Sequence, residues 1–299
     1  MRPFAAALFT SAMLAFPALA EDVTIATAQG DVTLPAPPAN VVAFDVAAID
    51  SLNALGVTPA AVPDQLYVPA LVENEALKLD TVGTLFEPDL EKLAGLAPDL
   101  IIVGGRSAAQ KDAVAQVAPA INMTIGPDLI GDAKARIDAY GSLFAKSEDA
   151  AKLNDSIDTR LAELKAAGEG KGTALVLMTN GPKIAAYGTG SRFGWLHDAT
   201  GMAPAIADLS NEDRHGNALT PEAIADANPD WLLVLDRGAA VGEEGQSAEA
   251  TLKTPLIEGT TAWQKGQVVY LPAAEMYIGG GGYGSLMSVT DALLAALTK

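Results

Sequence analysis

One frame occurs twice in the chain: a Glu, six residues, Pro-Asp, an apolar run, and an Arg eight positions after the Pro. It reads EKLAGLAPDLIIVGGR over Glu91–Arg106 and EAIADANPDWLLVLDR over Glu222–Arg237. Each copy predicts a short helix that stops at Pro98 or Pro229, whose ring cannot continue it. A fully apolar run of strand length follows, Leu100–Val103 or Trp231–Leu235. Such a run, flanked by helices, is buried on both faces, as strands of a parallel sheet are. Ligands of open α/β sheets collect beyond the carboxyl ends of these strands, which is where Arg106 and Arg237 fall. Two equivalent lobes with a guanidinium at each rim describe a cleft suited to an anion. Two unrelated helix-Pro-strand units with surface arginines are the alternative, which leaves the shared register of Glu, Pro, Asp and Arg unexplained.

Residues 1–20 read as an export leader. Arg2 supplies the positive start, Ala5 to Phe16 an apolar stretch shorter than a bilayer span, and Ala18-Leu19-Ala20 a small-x-small cleavage site ahead of Glu21. The chain has no Cys, so neither lipid attachment through Cys nor disulfides are available, and an exported protein must rely on its core. Its formal net charge is −18, from 19 Lys and Arg against 37 Asp and Glu, which argues against nucleic acid as a partner because phosphate binding needs clustered cations. An anionic ligand must then be met by cations that converge, since charges beyond about 8–10 Å are screened at physiological salt.

The sequence divides into a first α/β lobe over 21–146, a connecting helix over 147–168 and a second α/β lobe over 169–299. In the first lobe Val23–Ala26 and Val32–Leu34 form a hairpin around Gln29-Gly30-Asp31, Val41–Phe44 is a buried strand, and Asp45 caps the helix Val46–Leu55. A helix over Ala108–Val117 and a strand near Ala120–Ile125 follow the first frame, continuing a β-α-β alternation. From Asp132 to Ala167 the chain reads as helical, with Ser147 placed to cap the second half and Leu153, Ile157, Leu161 and Leu164 forming an apolar stripe. About twenty residues at 1.5 Å rise span roughly 30 Å, the length of a stiff connector or of a surface helix in one domain. The second lobe opens with strands Ala174–Met178 and Lys183–Tyr187 around Asn180-Gly181-Pro182. It closes with a strand Val268–Leu271, a loop Pro272–Gly284 and a helix Ser285–Leu297.

Candidates for catalysis are few. No Ser occupies a nucleophile elbow, no Lys follows Gly in a phosphate loop, no HExxH is present, and two His without Cys supply a protein-only transition-metal site poorly. His197, in the apolar helix Phe193–Ala199, reads as structural. His215 lies in the polar loop Asp213–Asn217, where it either meets a ligand or is solvated. Gly188–Gly194 offers backbone donors and a third guanidinium, Arg192, at a helix start: an anion site or a solvated turn. Tyr277 precedes the four glycines Gly279–Gly282, which hold its loop open and let another surface approach, so the phenol either packs or faces a ligand. Gly279, Gly281 and Gly284 match a dinucleotide fingerprint by letter, too close to the chain end for the remaining βαβ unit.

Four strings, DLEKLAGLAPDLIIVGGR, GSRFGWLHDATG, RHGNALTPEAIADANPDWLLVLDR and MYIGGGGYGSL, occur in this order. Together they resemble the periplasmic ferric-siderophore-binding proteins of ABC importers, the catecholate-type receptors in particular. The resemblance implies a class III periplasmic binding protein: two Rossmann-like α/β lobes joined by a long rigid helix, with the ligand in a shallow cleft between them. It implies that Arg106, Arg192 and Arg237 surround the charge of a ferric chelate and that His215 and Tyr277 complete the coordination of its Fe(III). Fe(III) is hard and suits a phenolate oxygen, with imidazole an acceptable further donor. No intrinsic cofactor is implied; iron arrives as the siderophore chelate. Glu91 and Glu222 match the lobe-tip carboxylates that dock onto arginines of the permease. The protein so implied is a monomer of the Gram-negative periplasm, soluble after leader cleavage, docking at the inner membrane through its permease and catalysing no reaction. Met276 departs from the pattern, since an aromatic residue often precedes the Tyr. A haem or cobalamin receptor of the same design is the nearest alternative, and a periplasmic hydrolase is the alternative from another class.

Overall fold

The computed structural model describes residues 21–210 and 215–299; the expected leader and part of the loop before His215 lie outside the described residues. Both copies of the repeated frame fold alike. The helices Leu90–Leu96 and Pro221–Ala227 each end on a left-handed residue, Ala97 at φ 46° and Asn228 at φ 41°. The next residue, Pro, leads into the strands Leu100–Val103 and Trp231–Asp236. The Asp after each Pro has one task in both lobes. Asp99 accepts from the amides of Ala39 (3.0 Å) and Asn40 (2.9 Å), and Asp230 from the amide of Thr173 (2.9 Å), so each carboxylate pins the start of the neighbouring parallel strand.

The apolar runs are buried on both faces, as their composition requires: residues of Leu100–Val103 are at most 2% exposed. Side chains alternate across the sheet, with Val41, Leu100 and Ile102 in one core layer and Val42, Ile101 and Val103 in the other. Burying each such Leu, Ile or Val contributes about 1.5–3 kcal/mol. The first lobe's sheet is wholly parallel, in the order Asp80–Thr81, Ala61–Val62, Val41–Ala43, Leu100–Val103, Ala120–Asn122. In the second lobe Thr173–Asn180, Trp231–Asp236 and Val268–Tyr270 run parallel. Lys183–Tyr187 pairs antiparallel to the first of these through the expected turn, where Gly181 has φ 55°. The N-terminal hairpin, Glu21–Thr27 with Gly30–Ala36, packs Ile25 and Leu34 into the first core.

The helical stretch expected over 132–167, with its second half starting at Ser147, is two helices, Leu129–Leu143 and Ser147–Gly168. The chain reverses between them, with Ala145 at φ 54° and the Lys146 amide bonded to the Gly141 carbonyl (2.6 Å). Gly141 permits this close crossing, because a Cβ there would run into Ala150. Ser147 is not the cap but the first helical residue; Lys146 holds the cap position, and no side chain caps that end. The expected helix over Ala108–Val117 is a 3-10 segment, Gly105–Gln110, leading into a short α-helix, Lys111–Val114; Ser107 tightens its start by bonding through its amide and hydroxyl to Gly104.

The helix Ser147–Gly168, 22 residues and roughly 33 Å long, joins the two lobes. Leu153 and Ile157 pack into the first core, Leu164 into the second, and Leu161 touches both, so the predicted stripe belongs to both lobes at once. The closing helix Tyr283–Leu297 does the same, with Leu286 in the first core and Val289, Leu293 and Leu297 in the second. Ahead of it, Tyr277 ends a short helix, Ala273–Tyr277, and the glycines that follow lie shut against the first lobe, not open. A Cβ on Gly281 would stand 2.8 Å from Ile125 Cγ1, and one on Gly282 would stand 2.6 Å from Asp50 Oδ2. Asp50 accepts from the Ser285 amide (2.7 Å), and Ser51 Oγ accepts from the Tyr283 amide (3.2 Å), so the first lobe satisfies free amides at the start of the closing helix.

Candidate functional site

A cavity of about 810 Å³ opens between the lobes, walled by Asp45, Phe86 and Arg106 from the first and by Arg192, His215 and Tyr277 from the second. Arg106 follows the strand Leu100–Val103, reaching the cleft through Gly104 and Gly105. Gly104 leaves no room for a side chain, because a Cβ would overlap the Asp45 carboxylate. Arg237 stands in the equivalent place after Trp231–Asp236, at the start of the short helix Arg237–Val241. Arg192 lies in the turn before the helix Trp195–Thr200, which begins two residues later than expected because Gly194 packs on the Gly188 carbonyl.

The three guanidiniums meet at one phenol. The Arg106 and Arg192 Cζ atoms lie 4.6 and 4.7 Å from the Tyr277 ring centroid, and Arg192 Nη2 donates to the Tyr277 carbonyl (2.8 Å). Burial alone would raise the Tyr277 phenol. A hydrogen bond from Arg237 and the charges of Arg106, Arg192 and Arg237 outweigh it and leave the phenol below its usual pKa. Arg192 is open to the cleft yet crowded by protein; its partial desolvation, and then the charge of Arg106, lower its own pKa. Arg237 differs from the other two, because its Nη1 already donates to Glu243 Oε2 (2.7 Å), and that bond raises its pKa.

His215 is exposed on the second lobe's wall of the same cavity. His197 lies apart, 4% exposed, its ring nitrogens 3.3 Å from the Met202 carbonyl and 3.4 Å from that of Tyr187, with a pKa lowered by burial. Glu91 and Glu222 are both exposed in the first turns of the helices Leu90–Leu96 and Pro221–Ala227. The Glu222 pKa is lowered, first by its own backbone amide and then by the Thr220 hydroxyl.

Two cleft residues were not singled out from the sequence. Phe86 lies in an irregular stretch without periodicity. Asp45 was read only as a helix cap, although it follows the strand Val41–Ala43 at the ligand end of the sheet, a position that could have marked it. Asp45 is 8% exposed, and burial, opposed by the amides of Ala47 and Ala48 and by the charges of Arg106 and Arg136, raises its pKa from 3.8 to about 6. A carboxyl with a raised folded-state pKa destabilises the fold when ionised, and the penalty disappears as pH falls through 6 toward 3.8. Asp45→Asn is therefore expected to raise stability at pH 7.5 by about 2–3 kcal/mol and to give no gain near pH 4. Urea denaturation at the two pH values measures this, and an equal effect at both would refute it.

Two α/β lobes fixed by a shared helix, with cations gathered in the cleft between them, define a class III solute-binding protein. The chain belongs to the periplasmic binding protein family, whose pattern it matches over residues 41–275. It is 33% identical over 270 residues to the petrobactin-binding protein YclQ of Bacillus subtilis, covering 89% of this chain and 84% of that one. It is 30% identical over 268 residues to the ferric-anguibactin-binding protein FatB of Vibrio anguillarum, covering 86% and 82%. The crystal structure of YclQ superposes with a TM-score of 0.85 over 93% of this chain and 99% of that one, at 31% identity. The periplasmic catecholate-siderophore binding protein VctP of Vibrio cholerae superposes with a TM-score of 0.83 over the same shares, at 27% identity.

Proposed function

We propose that this protein captures a ferric siderophore of the catecholate type in its cleft and delivers it to an ABC importer of the inner membrane. The observation that carries this reading is the convergence of Arg106, Arg192 and Arg237 on Tyr277 in a chain of net charge −18. Guanidiniums held close together repel one another, and an anionic chelate relieves that repulsion while displacing Glu243 from Arg237. Tyr277 and His215 are the side chains offered to iron, and a phenol already below its usual pKa gives up its proton to Fe(III) more readily. The names of the relatives, petrobactin-binding and ferric-anguibactin-binding, support the same solute class.

In this reading the lobes are 21–146 and 169–299, the connector is 147–168, and Glu91 and Glu222 are the permease contacts, one per lobe. The protein acts as a monomer in the Gram-negative periplasm after removal of residues 1–20, and the iron stays chelated throughout. Titration with a ferric bis-catechol chelate should quench the fluorescence of Trp195, Trp231 and Trp263, the three Trp of the chain. Tyr277→Phe is expected to weaken binding about tenfold, close to 1.4 kcal/mol, and to change the charge-transfer band of the bound chelate. His215→Ala should alter the same band. If both variants leave affinity and spectrum as in the wild type, direct coordination is wrong. If the wild type binds no ferric chelate, the whole reading is.

A further inference from the structure

We infer that Phe86 selects for ring-bearing ferric chelates at the mouth of the cleft. This rests on the cleft's being the chelate site, and adds a residue that reads the ring of the chelate. Phe86 is 56% exposed and forms part of the cavity wall, while its neighbour Leu85 is 5% exposed and packs into the first core. One residue of the pair thus anchors the loop and the next projects from it. A single exposed aromatic is ordinary on a protein surface; this one stands on a turn that is bonded throughout. Thr84 Oγ1 accepts from the amides of Phe86 (3.3 Å) and Glu87 (3.0 Å), and the Thr84 amide donates to the Glu87 carbonyl (3.0 Å). The base of the turn is held by Gly83 pairing with Pro88 and by the Asp64 amide on the Gly83 carbonyl (2.9 Å). Gly83, at φ 90°, could not be replaced without a clash, since a Cβ would lie 2.7 Å from the Asp89 amide nitrogen.

The backbone that carries the ring is therefore ordered before any ligand arrives, and binding need not order it. Arg106, Arg192 and Tyr277, within the same cavity, attract oxyanions whatever skeleton bears them. Their charges alone do not distinguish a catecholate from an aliphatic carboxylate. Phe86 does, because an aryl ring can stack against it offset or edge-on and a carboxylate chain cannot.

Two probes of like charge sign separate these contributions: a ferric bis-catechol chelate, which carries rings, and ferric citrate, which carries none. Phe86→Ala is expected to weaken binding of the bis-catechol chelate about tenfold while changing ferric citrate affinity by less than about twofold. Phe86→Leu keeps apolar surface without the ring, and should lose most of the same selectivity. Thermal unfolding of both variants should match the wild type, since the ring makes no part of the core. Unchanged affinity for the ring-bearing chelate, or equal losses for both probes, would overturn the inference while leaving the cleft reading intact. A wild type that binds neither probe would overturn both.

Discussion

Arg192→Gln is expected to lower affinity for a ferric bis-catechol chelate by about a hundredfold. This is the largest effect expected of any single cleft substitution, because Arg192 holds two positions at once. Its guanidinium faces the cavity beside Arg106, and its Nη2 donates to the carbonyl of Tyr277 (2.8 Å), the residue proposed to offer its phenol to iron. A charge-assisted hydrogen bond contributes about 1.5–3 kcal/mol, and the ligand also loses one of its positive partners. Arg192→Lys keeps the charge without the planar fork and is expected to fall between Gln and the wild type. A second readout separates this role from simple misfolding. Arg192 is one of the charges that hold the Tyr277 phenol below its usual value, so the Gln variant should titrate that phenol at higher pH in the ligand-free protein. Tyrosinate absorbance follows the titration. Affinity within about threefold of the wild type, with an unmoved phenol, would mean the cleft cations do not act through this residue.

The second large effect concerns the fold. Gly281→Ala is expected to destabilise the protein by about 3 kcal/mol, from a backbone term of about 1–2 kcal/mol and an overpacking term of similar size. Gly281 has φ 88°, a conformation that side-chain-bearing residues rarely adopt. Its new methyl would stand 2.8 Å from Ile125 Cγ1 and 3.1 Å from Cγ2, in the seam that closes the second lobe's last segment onto the first lobe. In a chain of this size the melting temperature should fall by about 5 °C. Gly245→Ala is the control, because its Cβ would meet nothing within 4 Å and its φ is not positive. Equal melting temperatures for the two variants would show that the glycine seam carries no constraint between the lobes.

Of the site, the sequence showed the cations and missed their setting. Arg106 and Arg237 were legible because the frame repeats, and a repeat that preserves Pro-Asp also preserves the strand end where its Arg emerges. Phe86 carries no periodic signal, since its turn is made of local bonds around Thr84 and Gly83 that obey neither helix nor strand spacing. The pairing of Arg237 with Glu243 was equally silent.

What the linear chain determined by itself is whatever depends on near neighbours: the buried strands from their apolar runs, the connecting helix from Leu153, Ile157, Leu161 and Leu164, and two arginines at matching strand ends. The tertiary structure alone decided what distant segments do to one another. It folded the chain back between the two helices where Gly141 meets Ala150, closed the glycine loop onto Ile125 and Asp50, and left Asp45 under a desolvation that no local pattern encodes. It also brought Arg192 to Tyr277, 85 positions away. Burial and electric field depend on the whole packed volume around a group, whereas helix and strand patterns depend only on the few residues beside it.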